Sequence, residues 1–363
     1  MVPETLSTTR CWQCVRVRIA TMSLTALPHD CLLACLSRVP YADLRNGLPS
    51  TCKSIRDAVA SPAFRKTREA AGYVEWAVFA RDHTPSNSYL IQASAAYRTV
   101  PGPPDPQGTI MVGLSSRRGN EVVIIQDFPV SRADAYHPLQ NRWRELAPLN
   151  SISQYAACSA LGSTLIVIGG YGAMPMPMDV YDSSQDAWSR RPDLPFEGEH
   201  GGCSRAIEVD GKLWLYAVDD HLQETFVYDP ATQAWTAGPR LPHQLYGEDG
   251  VHWHCMAFEL RKRFCLMGCF QLAPEDVRYL AFIWDPIRGA WDEAPFPVPP
   301  VVCLRGDSID NNLIVHGYID SSDPTGPMIA PRLFVLRPGS SDWDEWRIPD
   351  QVRAMQVAAV RLG

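Results

Sequence analysis

Lysine is scarce in this chain. Lys53, Lys66, Lys212 and Lys262 are the only four in 363 residues, and every other basic side chain is an arginine. Bases of both kinds are outnumbered by acids, for a formal net charge of −7 and an isoelectric point of about 5.7. A protein that grips nucleic acid by neutralising phosphates needs a basic face, so this balance argues against that function. No stretch approaches the roughly 20 consecutive apolar residues of a membrane-spanning helix. The eleven cysteines are odd in number and follow no secretory signal, which fits reduced thiols in the cytoplasm or nucleus better than a disulfide framework. Cys11 and Cys14 form a lone C-x-x-C with no second pair at zinc-like spacing, so no metal site is expected. The preference for arginine over lysine fits codon usage in a GC-rich gene. It also fits a protein for which few lysines is an advantage.

What remains is a chain with 46% hydrophobic and 20% charged residues, the balance of a folded, soluble protein. Residues 1–23 are rich in Ser, Thr and Arg and poor in acids, as transit peptides are, but lack a long apolar run. They are expected to be a disordered extension, with translation starting at Met1 or at Met22.

An internal repeat dominates the rest. "YHPLQNRW" (Tyr136 to Trp143), "YDSSQDAW" (Tyr181 to Trp188), "YDPATQAW" (Tyr228 to Trp235), "WDPIRGAW" (Trp284 to Trp291) and "LRPGSSDW" (Leu336 to Trp343) keep a constant internal gap of seven residues. Their tryptophans stand 45, 47, 56 and 52 residues apart. A fixed gap inside and a variable gap outside describe a rigid unit joined by length-tolerant loops. Each phrase reads as strand, turn, strand. A second hairpin precedes it, clearest in "AIEVDGKLWLYAV", where Asp210-Gly211 is a turn tolerant of positive φ. Four strands per unit of about 45–55 residues is the signature of a β-propeller blade. Blades cover one another's faces, so Tyr136, Trp143, Tyr181, Trp188, Tyr228, Trp235, Trp284, Trp291 and Trp343 are read as structural wedges between blades. Removing a buried Trp typically costs about 3–5 kcal/mol.

Six second strands can be counted, beginning at Trp76, Val122, Leu165, Leu213, Phe264 and Leu313. The first lacks a strand before it and its phrase is degenerate around Tyr97. The terminal run "AMQVAAVRL" (Ala354 to Leu362) has no partner after it. The two deficits cancel if the C-terminal strand enters the first blade and closes the ring. These units resemble kelch repeats, with Gly169-Gly170, Tyr181 and Trp188 matching fully. Other blades depart at the diglycine, which reads Ala217-Val218, Gly268-Cys269 and Gly317-Tyr318. The fold class expected is therefore mostly β: a six-bladed kelch-type β-propeller over residues 73–363, closed by the C-terminal strand.

Residues 24–72 differ in kind. Leu32, Leu33, Leu36 and Val39 recur at helical spacing after Pro28 and Asp30, and a second helical run carries Cys52, Ile55, Ala58 and Val59 before "SPAF" breaks it. Two or three short amphipathic helices are too small for an independent core and usually pack on a neighbour or face a partner. "LPHDCLLACLSRVP…L…CKSIRDAVASPAF" closely resembles an F-box, with Leu27-Pro28, the leucine stripe, Val39-Pro40, Leu44, Cys52-Lys53, Arg56-Asp57 and Ser61-Pro62 with Phe64 falling on the motif. Two departures are Ile55 where the motif has Trp, and Pro49 where a helix is usually under way. A helical cap on the propeller is the alternative reading.

An F-box directly before kelch repeats is the arrangement of the plant F-box/kelch family. That resemblance implies a non-catalytic substrate receptor of an SCF-type ubiquitin ligase. The Skp1-type adaptor would dock on Leu27, Pro28, Leu32, Leu33, Leu36, Val39, Pro40, Leu44 and Ile55 and link to a cullin. The propeller would hold an unknown target protein, without nucleic acid, membrane or cofactor. Candidate target contacts lie on loops: Tyr171, Met174 and Met176 between second and third strands, Asp219 and His221 in the next blade, and Tyr246 and Trp253 between blades. Their apolar members suit a protein-binding surface.

Two rivals are a non-catalytic kelch scaffold and a propeller enzyme. The densest cluster is "HWHC", in which strand alternation would put His252 and His254 on one face and Cys255 on the other, and no carboxylate constellation recurs. Cys203, Cys255 and Cys303 occupy equivalent positions in successive units, which implies a niche for a small side chain on the innermost strand.

Overall fold

The computed structural model describes residues 27–46, 52–73, 75–82, 87–92, 97–104, 110–116, 119–126, 132–150, 156–169, 176–195, 202–218, 223–242, 255–273, 276–318, 331–349, 352 and 355–362. The chain divides into two compact units, residues 1–75 with 362–363, and residues 76–361.

The larger unit is a six-bladed propeller. In chain order its strands are β1 (Glu75–Asp82), β2 (Asn87–Ile91), β3 (Tyr97–Pro101); β4 (Ile110–Ser116), β5 (Gly119–Gln126), β6 (Arg132–His137), β7 (Arg142–Glu145); β8 (Ala157–Leu161), β9 (Thr164–Ile168), β10 (Met176–Asp182), β11 (Ala187–Leu194); β12 (Gly202–Val209), β13 (Lys212–Val218), β14 (Gln223–Asp229), β15 (Ala234–Ala237); β16 (Cys255–Leu260), β17 (Arg263–Ala273), β18 (Asp276–Asp285), β19 (Ala290–Glu293); β20 (Val302–Ile309), β21 (Asn312–Tyr318), β22 (Arg332–Leu336), β23 (Trp343–Trp346); and β24 (Met355–Leu362). They form six four-stranded sheets, and the first has the order β24-β1-β2-β3. The C-terminal strand therefore closes the ring, as the unpaired ends of the sequence require. The Ala359 amide donates to the Asp307 carboxylate on β20 at 2.9 Å. On its other side, β4 approaches so closely that a Cβ at Gly113 would lie 2.0 Å from the Ala359 carbonyl oxygen, so only glycine fits there.

The repeated phrase has a physical reason. Its two aromatics pair across the third and outer strands: Tyr136 with Trp143, Tyr181 with Trp188, Tyr228 with Trp235, and Trp284 with Trp291. Ring centroids lie 5.1 to 5.4 Å apart. The turn between them needs a left-handed residue two positions before the Trp, filled by Asn141, Asp186, Gln233 and Gly289. The tyrosines are fully buried, at 0%, 0% and 3% for Tyr136, Tyr181 and Tyr228. The tryptophans pack against the clusters between blades, as wedges should, but are half-buried rather than fully buried. Each also anchors its indole N–H on a backbone carbonyl of the preceding blade or the linker after it. Trp143 donates to Pro101, Trp188 to Ala147, Trp235 to Pro192, Trp291 to Arg240 and Trp343 to Pro297. At the closing seam, where β3 carries no Trp, Trp76 stacks on Trp346 at 5.2 Å. Tyr97, opposite Ile91, holds the position of the missing Trp.

Apolar clusters fill the gaps between blades, for example Ile168, Met176, Met178, Leu213, Leu215 and Phe226 between the third and fourth. Arg144 on β7 makes a two-pronged bond to Glu121 on β5, with both distances 2.8 Å. Burial of this carboxylate is balanced by that fork, which raises the Arg144 pKa further.

Candidate protein-docking site

The smaller unit holds four helices among the described residues: α1 (His29–Leu36), α2 (Tyr41–Asn46), α3 (Lys53–Val59) and α4 (Pro62–Ala70). Local sequence explains each start. Pro28 caps α1 in an extended conformation and its carbonyl accepts the Leu32 N–H at 3.0 Å. Cys52 caps α3, its sulfur accepting the Ile55 N–H at 3.4 Å. A hydrogen bond from the Ser54 hydroxyl, with that N–H, draws the Cys52 thiol below its ordinary pKa. Ser61 caps α4 through the Phe64 N–H at 3.2 Å, and Pro62 takes the first helical position.

Helix α1 packs on α3 and α4. Leu32, Leu33, Leu36, Leu44, Ile55, Ala58, Val59 and Phe64 are all at or below 6% exposure. The leucine stripe is thus the core of the segment. Ile55, at the position where the motif has Trp, is a core residue at 3%. Of the nine residues expected at the adaptor face, Pro28 is exposed and Leu27, Val39 and Pro40 are half-buried. These four form the accessible apolar edge, and the five buried ones hold it. Cys31, Ala34, Cys35 and Arg38 make up the solvent side of α1 and its exit. Pro49 lies outside the described residues.

Sequence reasoning missed what fixes the Val39-Pro40 turn. Arg68 on α4 is 1% exposed. Its Nη1 donates to the carbonyls of Val39 at 2.7 Å and Ser37 at 3.3 Å. Its Nη2 lies 3.3 Å from the Glu75 carboxylate, and that carboxylate accepts the Tyr41 N–H at 2.9 Å. Burial pulls the Arg68 pKa down, while Glu75 opposes that shift. The signal in the sequence was one arginine among surface-like residues of α4, which periodicity alone reads as solvated.

On the propeller the target-contact expectations fare unevenly. Met176 is corrected: it opens β10 and is 0% exposed, in the cluster between the third and fourth blades, as is Met178. Pro175 and Pro177 interrupt the apolar "MPM" run in the sequence, yet the strand continues through Pro177. Tyr171, Met174, Asp219, His221, Tyr246 and Trp253 lie outside the described residues, as do His252 and His254. Cys203, Cys255 and Cys303 fall on the innermost strands β12, β16 and β20. Among the described residues no cluster of three or more His, Cys, Asp or Glu side chains could hold a metal, and no helix is long and apolar enough to cross a membrane.

Residues 24–67 match the F-box domain. Over 112 residues the chain is 30% identical to Kelch-like protein 35 of Mus musculus, covering 30% of this chain and 19% of that protein. It is 33% identical over 75 residues to Kelch-like protein 36 of Mus musculus, covering 20% of this chain and 12% of that one. It is 21% identical over 145 residues to Kelch repeat and BTB domain-containing protein 2 of Homo sapiens, covering 34% and 23%. The chain thus spans about a quarter or less of these relatives. The F-box match in the helical unit and the six-bladed propeller, whose sequence is similar to Kelch-like and kelch-repeat proteins, together support an F-box/kelch arrangement. The relatives are mammalian, and the narrower plant grouping rests on the sequence arrangement alone.

Proposed function

We propose that this protein is the substrate-recognition subunit of an SCF-type E3 ubiquitin ligase. Its F-box would dock on a Skp1-type adaptor, and through it a cullin, while its propeller holds the protein to be ubiquitinated. The observation that carries this reading is the F-box match over residues 24–67, with Leu27, Pro28, Val39 and Pro40 left accessible at the rim of an otherwise closed core. The receptor performs no bond chemistry. It keeps a target lysine near the charged conjugating enzyme, so its contribution is effective concentration. The scarcity of lysine supports this role, because Lys53, Lys66, Lys212 and Lys262 are all exposed and are the only side-chain amines the receptor offers for self-modification. Such a ligase works in the cytoplasm or nucleus.

The test is co-expression of the full chain with a Skp1 homologue, followed by size-exclusion chromatography. Substitution of Leu32 or Leu36 by Asp would break the core as well as any contact, so the informative variants are Pro28→Asp and Val39→Asp. Co-elution of wild type, lost in both variants with their helix content intact, is the expected result. A folded wild type that never co-elutes would leave the non-catalytic scaffold reading in its place.

A further inference from the structure

The six innermost strands, β24, β4, β8, β12, β16 and β20, line a central channel of about 720 Å³. That volume lies in the range of small-molecule sites. Near one another in it stand Arg205 from the fourth blade and Asp307 from the sixth, with Cys158 from the third. The Arg205 guanidinium approaches Asp307 no closer than 3.6 Å, outside hydrogen-bond distance. Its Nε is buried with no hydrogen-bond partner, and its guanidinium donates no hydrogen bond to any described residue. Asp307 is already engaged, since its two oxygens accept the N–H groups of Ser308 and Ala359. Lining side chains beside them are small, with Ser115, Ser159 and Ala359 leaving the space open.

We propose that the channel binds a small, singly charged carboxylate, held by the two-pronged face of Arg205. A guanidinium offers five N–H donors in a planar fork that matches a carboxylate, and the Arg205 side chain, 27% exposed, leaves that fork open to the channel. The remaining lining fixes the charge of the ligand. Asp307, Glu208, Glu259, Asp210 and Asp310 share the channel with Arg205, Lys262 and Arg361, and repulsion grows with ligand charge, so a dianion such as phosphate or a dicarboxylate is disfavoured more strongly than a monocarboxylate. Burial lowers the Arg205 pKa and raises that of Asp307, and each charge opposes the shift of the other. Burial also keeps the Cys158 thiol neutral, so it adds no competing charge. This site is independent of the F-box and of the ubiquitin-ligase reading.

The experiment is ligand-observed ¹⁹F NMR on the full chain with 4-fluorobenzoate, beside neutral 4-fluorobenzamide. Line broadening is expected with the carboxylate and not the amide, relieved by acetate and not by an equal concentration of inorganic phosphate. Arg205→Gln should weaken binding at least 10-fold, Arg205→Lys less, and Arg361→Gln, a lining arginine already paired with Asp310, little. Acetyl-dialanine as free acid and as amide distinguishes the source: competition by the free acid means a peptide terminus also reaches the site, and no competition restricts it to free carboxylates. The proposal is overturned if no carboxylate broadens with wild type, or if broadening is equal in wild type and a folded Arg205→Gln protein.

Discussion

Arg68 sits at 1% exposure, so its removal cannot be absorbed by water. Arg68→Ala would leave the carbonyls of Ser37 and Val39 without their donor and the Glu75 carboxylate without its cation. Glu75 is 32% exposed and can be rehydrated, so the cost comes chiefly from the carbonyls left without a donor, about 1–3 kcal/mol. Amide exchange of the full chain should accelerate in α1 and α4 by a factor on the order of 100, with the blades unaffected. Glu259 carries a prediction in pH. Burial is the main cause of its raised pKa, with the neighbouring Glu208 adding to it. A carboxyl whose folded pKa is raised contributes stability that is fully present below its unfolded value and lost as pH rises through the folded one. The window therefore opens near the ordinary value of 4.5 and extends upward. Denaturation midpoints from pH 4 to pH 7 should show Glu259→Gln gaining on wild type as pH rises; a constant difference would contradict the assignment.

At the level of the element, the outer-strand tryptophans divide their work between ring and N–H. Trp235→Phe keeps an aromatic against Tyr228 and deletes the bond to the Pro192 carbonyl. The expected loss is about 1 kcal/mol by urea denaturation. Because the ring is half-buried, Trp235→Ala should fall short of the roughly 3–5 kcal/mol typical of a fully buried Trp. The seven-residue phrase made the outer hairpins legible because a left-handed turn residue and a cross-strand aromatic pair must keep their spacing. What escaped was directional. No periodicity reveals that the indole N–H reaches back to the blade before, or that Met176 and Met178 continue a strand through Pro177. The same holds in the helical unit: the spacing of Leu32, Leu33 and Leu36 announced a helix, but not that this face closes on α3 and α4 and leaves only the edge at Pro28 and Val39-Pro40.

For the whole molecule, ring closure was legible by counting, since a first blade short of one strand and a last strand without a blade admit one solution. The closing strand is also where the ring is most exposed to a single change. Ala359→Pro deletes the N–H that Asp307 accepts and leaves that carboxylate oxygen without its donor, for a cost of about 1–3 kcal/mol. A drop in melting temperature of the propeller with unchanged helix content would bear this out, and an unchanged melting temperature would not. The channel that this closure creates could not be read from sequence, because Arg205, Asp307 and Cys158 lie on different blades, and their meeting depends on the ring. The proposed function follows the same division: in it the propeller is the binding body, and the short helical segment ahead of it decides what that body is attached to.

The most direct measurement of that attachment is hydrogen–deuterium exchange of the full chain with and without a Skp1 homologue. Protection confined to residues 27–46, strongest around Pro28 and Val39-Pro40, is the predicted result, with exchange in β1–β24 unchanged. Protection in the blades with residues 27–46 unaffected, or none anywhere while the chain stays folded, would contradict the account.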